Sequence, residues 1–260
     1  MKLSISNIAW DATHDLEMFE FLHEVGFNGL EIAPTRIFLE NPYDHLVEAK
    51  TFAEMLNEKY NLTIPSMQSI WFGKTEKVFG SEQERQFLID YTKKAILFAE
   101  AIKCKNLVFG NPKNRNIETN GNVEEIAVSF FKEISDYAAL HNTTIGLEPN
   151  PSIYNTNFIN TTKEAFEFCR KVNSSGLKVN VDLGTMLFEE SNVELLNENT
   201  ELINHIHISE PYLKPIVHRE LHKELLKLDN YHNFISIEMG NCNDIDIVKE
   251  CISYIKEVFQ

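Results

Sequence analysis

The sequence predicts an α/β protein with a single (β/α)8 TIM barrel over residues 1–260. Apolar runs of strand length alternate with amphipathic stretches of helix length, and eight such pairs follow one another. Alternating strands and helices favour a parallel sheet, and eight units favour its closure into a barrel. No linker, low-complexity tract or change in composition indicates a second domain. A doubly wound open sheet is the alternative architecture.

The eight units can be read in order from the apolar pattern and its breaks. The strand-like runs are LSISNIAW, GLEIAP, TIPSMQSIWF, NLVFGNP, TTIGLEPN, LKVNVDLG, NHIHISEP and NFISIEMG. The helical stretches that follow them are DLEMFEFLHEVG, DHLVEAKTFAEMLNEKYN, ERQFLIDYTKKAILFAEAIKC, EEIAVSFFKEISDYAALHN, TKEAFEFCRKVN, NVELLNENTELI, HRELHKELLKLD and DIDIVKECISYIKEVF.

Composition narrows the class of protein. A hydrophobic content of 43% suits a packed core, and no apolar run reaches the roughly 18 residues of a membrane-spanning helix. The N-terminus lacks the apolar stretch of a secretory signal, and four scattered cysteines predict reduced thiols, so we expect a cytoplasmic protein. A formal charge of −15 argues against nucleic acid, because phosphate binding depends on Lys and Arg.

Four consecutive strands each end in a side chain that can bind metal. They are Glu148, Asp182, His207 and Glu238, at spacings of 34, 25 and 31 residues. Because the carboxyl ends of barrel strands meet at one mouth, we expect these side chains to converge there. Three carboxylates and one imidazole would bind a divalent cation.

Other polar and aromatic residues belong to the same end of their units. We expect Asn7, Arg36, Gln68, Trp71, Asn111, Lys113, Arg115, Tyr154 and His218 to bind substrate. The turn at 111–115 is either a solvated basic turn or an anion clamp, since Arg offers a planar fork to carboxylate and phosphate. Trp71 either walls the pocket or plugs the barrel. His205 shares a strand face with His207 and is expected in the barrel core.

The motifs GLEPN, VDLG, HIHISEP and SIEM, with the opening GFNGLEIAP of the second unit, resemble the xylose-isomerase-like superfamily of sugar isomerases and epimerases. The resemblance implies a metal bound by Glu148, Asp182, His207 and Glu238, with Mn²⁺ favoured over Mg²⁺ or Co²⁺. It also implies proton transfer between Glu148 and Glu238 through a metal-stabilised enediolate. The implied ligand is a small sugar-like molecule, and a homo-oligomer is left open.

The chain departs from the free-ketose 3-epimerases at three substrate-gripping positions. Tyr154 stands where those enzymes place a Glu, Thr185 where they place a His, and Leu213 where they place an Arg. A modified, acidic or phosphorylated keto-sugar or polyol therefore becomes more attractive than a free ketose.

Three other functions are weighed against the isomerase. A metal-dependent lyase or dehydratase would begin with the same proton removal and then expel a β-hydroxyl. A non-catalytic binding barrel is disfavoured by the intact ligand set. An endonuclease-IV-like enzyme would need more histidines than the chain offers, since Gln68, Asn111 and Thr185 stand near those places.

Overall fold

A computed structural model describes residues 1–118 and 121–259 of the protein. Eight parallel strands follow one another around a barrel in the order β2, β1, β8, β7, β6, β5, β4, β3. The strands are β1 Lys2–Ser6, β2 Gly29–Glu31, β3 Ser66–Met67, β4 Asn106–Phe109, β5 Ile145–Leu147, β6 Leu177–Asp182, β7 Ile203–Ser209 and β8 Phe234–Glu238.

Isolated backbone hydrogen bonds at and beside the two end strands, β2 and β3, bring the barrel nearly to closure. The amide of Leu30 donates to the carbonyl of Thr63 over 2.9 Å, and the amide of Gln68 donates to the carbonyl of Ile32 over 2.9 Å. The predicted (β/α)8 barrel is confirmed, and the open-sheet alternative is wrong.

The helices surround the barrel. They are α1 Asp15–Glu24, α2 Pro34–Ile37, α3 Leu46–Tyr60, α4 Glu82–Ala101, α5 Val123–Leu140, α6 Thr162–Val172, α7 Leu183–Phe188, α8 Val193–Asn197, α9 Glu220–Glu224 and α10 Ile245–Val258. Capping boxes begin two of the helices: Ser81 and Glu84 form one at α4, and Thr161 and Glu164 form another at α6.

The connections after β6 and β7 differ from the single helices predicted there. A short helix, α7, begins directly at Asp182, whose side chain accepts from the amide of Thr185. Asn192 caps the separate helix α8, and the chain leaves helical geometry at Asn199 (φ −132°). Asn-rich stretches favour caps and turns over helix interiors, which explains the break. Among the described residues, no helix is long and apolar enough to cross a membrane.

The interior has two layers of different character. Between barrel and helices the packing is aromatic: Trp71 meets Phe109 with ring centroids 4.6 Å apart and Phe130 at 6.0 Å. Trp71 is buried there and donates to Thr92 Oγ1 over 2.9 Å, so the expected pocket wall is wrong for this residue. Inside the barrel the buried side chains are largely polar, among them Ser4, Ser66, Asn106, Asn180 and Ser236.

Candidate metal centre

The four strand-end residues come together at the mouth of the barrel. Glu148, Asp182, His207 and Glu238 are all buried, and their ligand-type atoms lie within 4.8 Å of one another. Nδ1 of His207 lies 3.0 Å from Glu148 Oε1 and 3.2 Å from Glu238 Oε2. Parallel strands in register produce this convergence, since Asp182 pairs with His207 and Ser209 with Glu238 in the ladder.

The second nitrogen of His207 is held by a carboxylate from the opposite side of the barrel. Nε2 of His207 lies 2.9 Å from Glu31 Oε2. Gln68 donates to Glu31 Oε1 over 3.0 Å and to Ser6 Oγ over 2.9 Å, which fixes the Glu31 carboxylate. A carboxylate behind a histidine fixes its tautomer and leaves the other nitrogen free to bind metal. Nδ1 of His207 is therefore the nitrogen turned toward Glu148 and Glu238.

The electrostatics of the centre call for a positive charge. Burial, together with the neighbouring carboxylates, raises the pKa of Glu238 to about 7 and raises the pKa of Asp182. Burial opposes a charged imidazole, yet Glu31 and Glu238 hold the pKa of His207 well above its ordinary value. Burial also opposes ionisation of Glu31, but His207 and His205 hold its pKa well below the ordinary value. A divalent cation among these oxygens would stabilise the charged carboxylates, so the donor set fits a divalent cation.

Asp182 is fixed by the start of α7. Its Oδ1 accepts from the amide of Thr185 over 2.6 Å and from Thr185 Oγ1 over 2.8 Å, while Oδ2 accepts from Ser209 Oγ. Thr185 also donates to the carbonyl of Pro149 over 3.0 Å. The threonine thus orients the carboxylate instead of reaching out toward a ligand.

Glu148 is held by two amides, one at each oxygen. Asn180 donates to Oε1 over 2.9 Å, and Asn150 donates to Oε2 over 3.3 Å. Gly110 packs against this carboxylate so closely that a Cβ there would lie 2.6 Å from Oε2. A side chain at Gly110, directly after β4, would fit only if this carboxylate moved.

The mouth above the centre is lined by the loops after β5 and β7. Tyr154 is half-buried, its hydroxyl accepts from the amide of Tyr212 over 2.8 Å, and burial and the nearby carboxylates raise its pKa. Leu213 adopts a left-handed backbone (φ +53°), and its carbonyl accepts from the amide of Gly240 over 2.8 Å. Among the residues predicted to bind substrate, Tyr154 lies near the centre with a polar atom available.

Several predicted substrate-binding residues have other partners. Asn7 accepts from the amide of Ala33 over 2.9 Å and fixes the start of α2. The guanidinium of Arg36 donates to Oδ1 of Asp15 over 2.7 Å and to Oδ2 over 3.1 Å, so its charge is already paired. Gln68 supports Glu31, as described above. These three residues build the frame of the mouth.

The basic turn after β4 and His218 also differ from expectation. Lys113 is exposed, Asn111 begins the turn in a left-handed conformation (φ +43°), and Arg115 is completely buried. Burial disfavours the anion clamp at Arg115, because its guanidinium faces the interior and bonds Asn150 instead of solvent. His218 is exposed and stacks on Tyr254 of α10, with ring centroids 3.8 Å apart, in a groove between α1 and α10. It lies away from the barrel mouth.

Residues that hold the ligand-type side chains were harder to find in the sequence. Glu31 ends a strand just as the four ligand candidates do, and this was the available signal. Asn180 and His205 lie two positions before Asp182 and His207, so the period of a strand places them on the same face. His205 is buried and bonds Ser236 Oγ over 2.7 Å, as expected of a core histidine. The sequence pattern did not mark Asn150 or Ser209, apart from their closeness along the chain to Glu148 and His207.

Comparison with known proteins adds a family and a fold. The sequence matches the family model of the xylose isomerase-like TIM barrel over residues 19–258, and no curated protein matches it. Many solved structures are similar, and among those that cover nearly the whole chain are the following three. The 3-keto-D-glucoside 4-epimerase YcjR of E. coli has 18% identity, 99% coverage of both chains and a TM-score of 0.77. An AP endonuclease, family 2, of Brucella melitensis has 20% identity, 99% coverage of both chains and a TM-score of 0.75. An IOLI protein with a bound zinc atom has 18% identity, coverage of 100% of this chain and 96% of its own, and a TM-score of 0.74. At these identities the likeness extends to the fold alone.

Proposed function

This chain belongs to the xylose isomerase-like TIM barrel family, and from that premise we propose that it is a divalent-metal-dependent isomerase or epimerase of a keto-sugar or sugar derivative. The observation that carries the proposal is the buried meeting of Glu148, Asp182, His207 and Glu238. Four groups of ligand type with fixed orientations are more than a barrel needs for stability. Burying like charges together is costly, and such arrangements cluster at functional sites.

Glu148 and Glu238 would carry the proton transfers. They reach the centre from β5 and β8, on the two flanks of the strands that bear Asp182 and His207. One carboxylate removes the proton beside the substrate carbonyl, and the other returns a proton to the same or the neighbouring carbon.

Glu148, Asp182, His207 and Glu238 would hold the cation. When bound, it supplies a Lewis acid that polarises a carbonyl and acidifies the adjacent C–H bond. Mn²⁺ is the favoured ion, with Mg²⁺ and Co²⁺ as alternatives, because three of the four ligands are oxygens. The zinc in the similar IOLI structure makes Zn²⁺ the fourth ion to test.

The substrate we propose is a small polyhydroxy carbonyl compound. One of the epimerases among the similar structures is named for a 3-keto-D-glucoside, and we therefore include sugars whose oxidised carbon lies within the ring. With Arg115 buried, exposed Lys113 is the remaining cation of the anion clamp predicted at 111–115. Arg36, expected separately to bind substrate, is paired with Asp15. A neutral keto-sugar therefore becomes the first candidate, and an anionic one the second.

The test is solvent exchange. Protein stripped of metal and reloaded with Mn²⁺, Mg²⁺, Co²⁺ or Zn²⁺ is incubated in D₂O with 3-keto-glucosides, free ketohexoses and their phosphates. Proton NMR and mass spectrometry then follow the carbon-bound hydrogens. We expect deuterium beside the carbonyl and a new isomer of unchanged composition, with the stripped protein as control.

The products also separate the competing functions. Loss of water with an unsaturated product would assign a dehydratase, with Tyr154 as the nearest candidate acid. Cleavage of DNA at abasic sites would favour the endonuclease named by one of the similar structures. Metal binding without exchange in any compound of the panel would contradict the isomerase proposal.

A further inference from the structure

Arg115 is a buried arginine without an acidic partner among the described residues. It is 0% exposed and ends the short turn Pro112–Arg115 after β4. Its Nη2 donates to Asn150 Oδ1 over 2.8 Å and lies 3.5 Å from the carbonyl of Ile159. Within residues 1–118 and 121–259, Nε and Nη1 have no hydrogen-bond partner. Burial lowers the pKa of Arg115 to about 10, so the group is still charged at neutral pH.

Asn150, the partner of Arg115, is held at each of its polar groups. The backbone amide of Asn150 donates to the carbonyl of Ile159 over 3.1 Å, and the backbone carbonyl of Asn150 accepts from Asn160 Nδ2 over 2.7 Å. Because arginine can only donate, Oδ1 must face Arg115, and Nδ2 must face the other way. Nδ2 then lies 3.3 Å from Glu148 Oε2 and 3.1 Å from the carbonyl of Pro149. The arginine thus decides which end of Asn150 meets Glu148.

The backbone at Ile159 is strained to make this arrangement. Ile159 has φ +58°, a left-handed conformation that β-branched residues rarely adopt. Its carbonyl serves both Asn150 and Arg115. Backbone strain and unpartnered buried donors lower stability, and they persist mainly where a site depends on them. Both occur here two hydrogen bonds, by way of Asn150, from a proposed catalytic carboxylate.

We infer that Arg115 is a positioning residue that acts through Asn150 to aim Oε2 of Glu148 at the substrate. This inference rests on the proposed function. Oε1 of Glu148 faces His207 Nδ1 and Asn180, so Oε2 is the oxygen available for proton transfer. In that step the proton passes from the substrate carbon to Oε2, and the electron pair of the C–H bond moves toward the carbonyl oxygen of the substrate.

The test compares stability, metal binding and turnover in Arg115→Met. We expect the melting temperature to stay the same or rise by about 2–4 °C, because unpaired buried donors are removed. Affinity for Mn²⁺ alone, measured by calorimetry, should be unchanged or tighter, since a positive charge near the centre is lost. The kcat of the exchange reaction should fall roughly tenfold to a hundredfold with little change in KM. Arg115→Lys should recover part of that loss.

A matched arginine–asparagine pair supplies the control. Arg170 Nη2 contacts Asn199 Oδ1 outside the barrel mouth, and Arg170→Met should leave kcat unchanged. A second variant, Asn150→Asp, keeps an acceptor for Arg115 but removes the donor to Glu148, and it should lower kcat as Arg115→Met does. If Arg115→Met fails to fold, the kcat of Asn150→Asp tests the inference instead.

Failure of the inference and failure of the proposed function would give different results. If wild-type protein exchanges deuterium while Asn150→Asp or a folded Arg115→Met turns over at the wild-type rate, Arg115 is a structural brace and the inference is wrong. If wild-type protein exchanges no compound of the panel, the proposed function has failed and the inference falls with it.

Discussion

The two halves of the barrel contribute to the centre in different ways. The half from β5 to β8 supplies the four ligand-type residues, whereas the half from β1 to β4 supplies Glu31 and Gln68, which hold one of them. Glu31 ends its strand with the same carboxylate as Glu148 and Glu238. It lies behind His207, so its Oε2 faces Nε2 of that residue. A carboxylate at the end of a strand can therefore be a proposed metal ligand, as Glu148 is, or it can support a ligand, as Glu31 does where His207 lies between it and the centre.

The largest effect should come from the proposed proton-transfer groups of the second half. Glu148→Gln and Glu238→Gln each keep an oxygen for metal binding but lose the ability to carry a proton. We expect kcat to fall by about 10²–10⁴-fold with Mn²⁺ still bound. Exchange kinetics with metal-loaded protein measures this, and Glu54→Gln, exposed on α3, is the control. Near wild-type turnover in either variant would refute the two-carboxylate mechanism.

His207→Ala should remove metal binding more than it disturbs the fold. The variant loses the imidazole that faces Glu148 and Glu238 and leaves Glu31 without its main partner. Elemental analysis after reconstitution and dialysis should give less than about one tenth of the wild-type metal content, since even the outer-shell partners of metal ligands are worth about 10–100-fold in affinity. His141→Ala, on the surface after α5, controls for loss of a histidine. Equal metal content in both proteins would refute the ligand assignment.

Glu31→Gln sharpens the contrast between ligand and support. The amide still fills the space but holds His207 more weakly, so Mn²⁺ affinity should fall by roughly 10–100-fold without being abolished. Calorimetry with Mn²⁺ measures the change, and Gln68→Glu offers a second perturbation of the same support. A loss as complete as in His207→Ala would mean that Glu31 binds the metal directly.

The smallest effect concerns His222, which lies on α9 between β7 and β8. It is buried beside Tyr254, Glu210, Arg219 and His218, and burial lowers its pKa to about 4 from 6.5. Between these values the unfolded chain binds the proton that the folded protein excludes, so stability falls as the pH is lowered from about 6.5 to about 4. We expect a loss of about 1–3 kcal/mol.

Urea unfolding at several pH values measures this contribution. His222→Gln, which keeps a polar group near Tyr254, should flatten the stability profile below about pH 6.5. If the slope were unchanged, the acid sensitivity would come from groups other than His222.

Sequence periodicity predicted the barrel and the meeting of the four strand ends, because both follow from the repeat of strand and helix. It could not predict contacts that depend on loops. Arg36 pairs with Asp15 of another unit, and Arg115 turns inward after the left-handed residue Asn111. A single backbone angle decides whether the side chain of a turn faces solvent or the core, and the pattern of polar and apolar residues carries no information about it.

The hydrogen bond between His207 and Glu31 joins residues 176 positions apart, and it has a consequence for assembly. Contacts of such long sequence separation cost the most chain entropy, so they form late in folding. The four ligand-type residues belong to the C-terminal half, but their histidine acquires its support only when the N-terminal half docks. Recovery of full Mn²⁺ affinity during refolding would therefore report the closing of the barrel. One spectroscopic signal from the bound ion would follow the joining of the two halves.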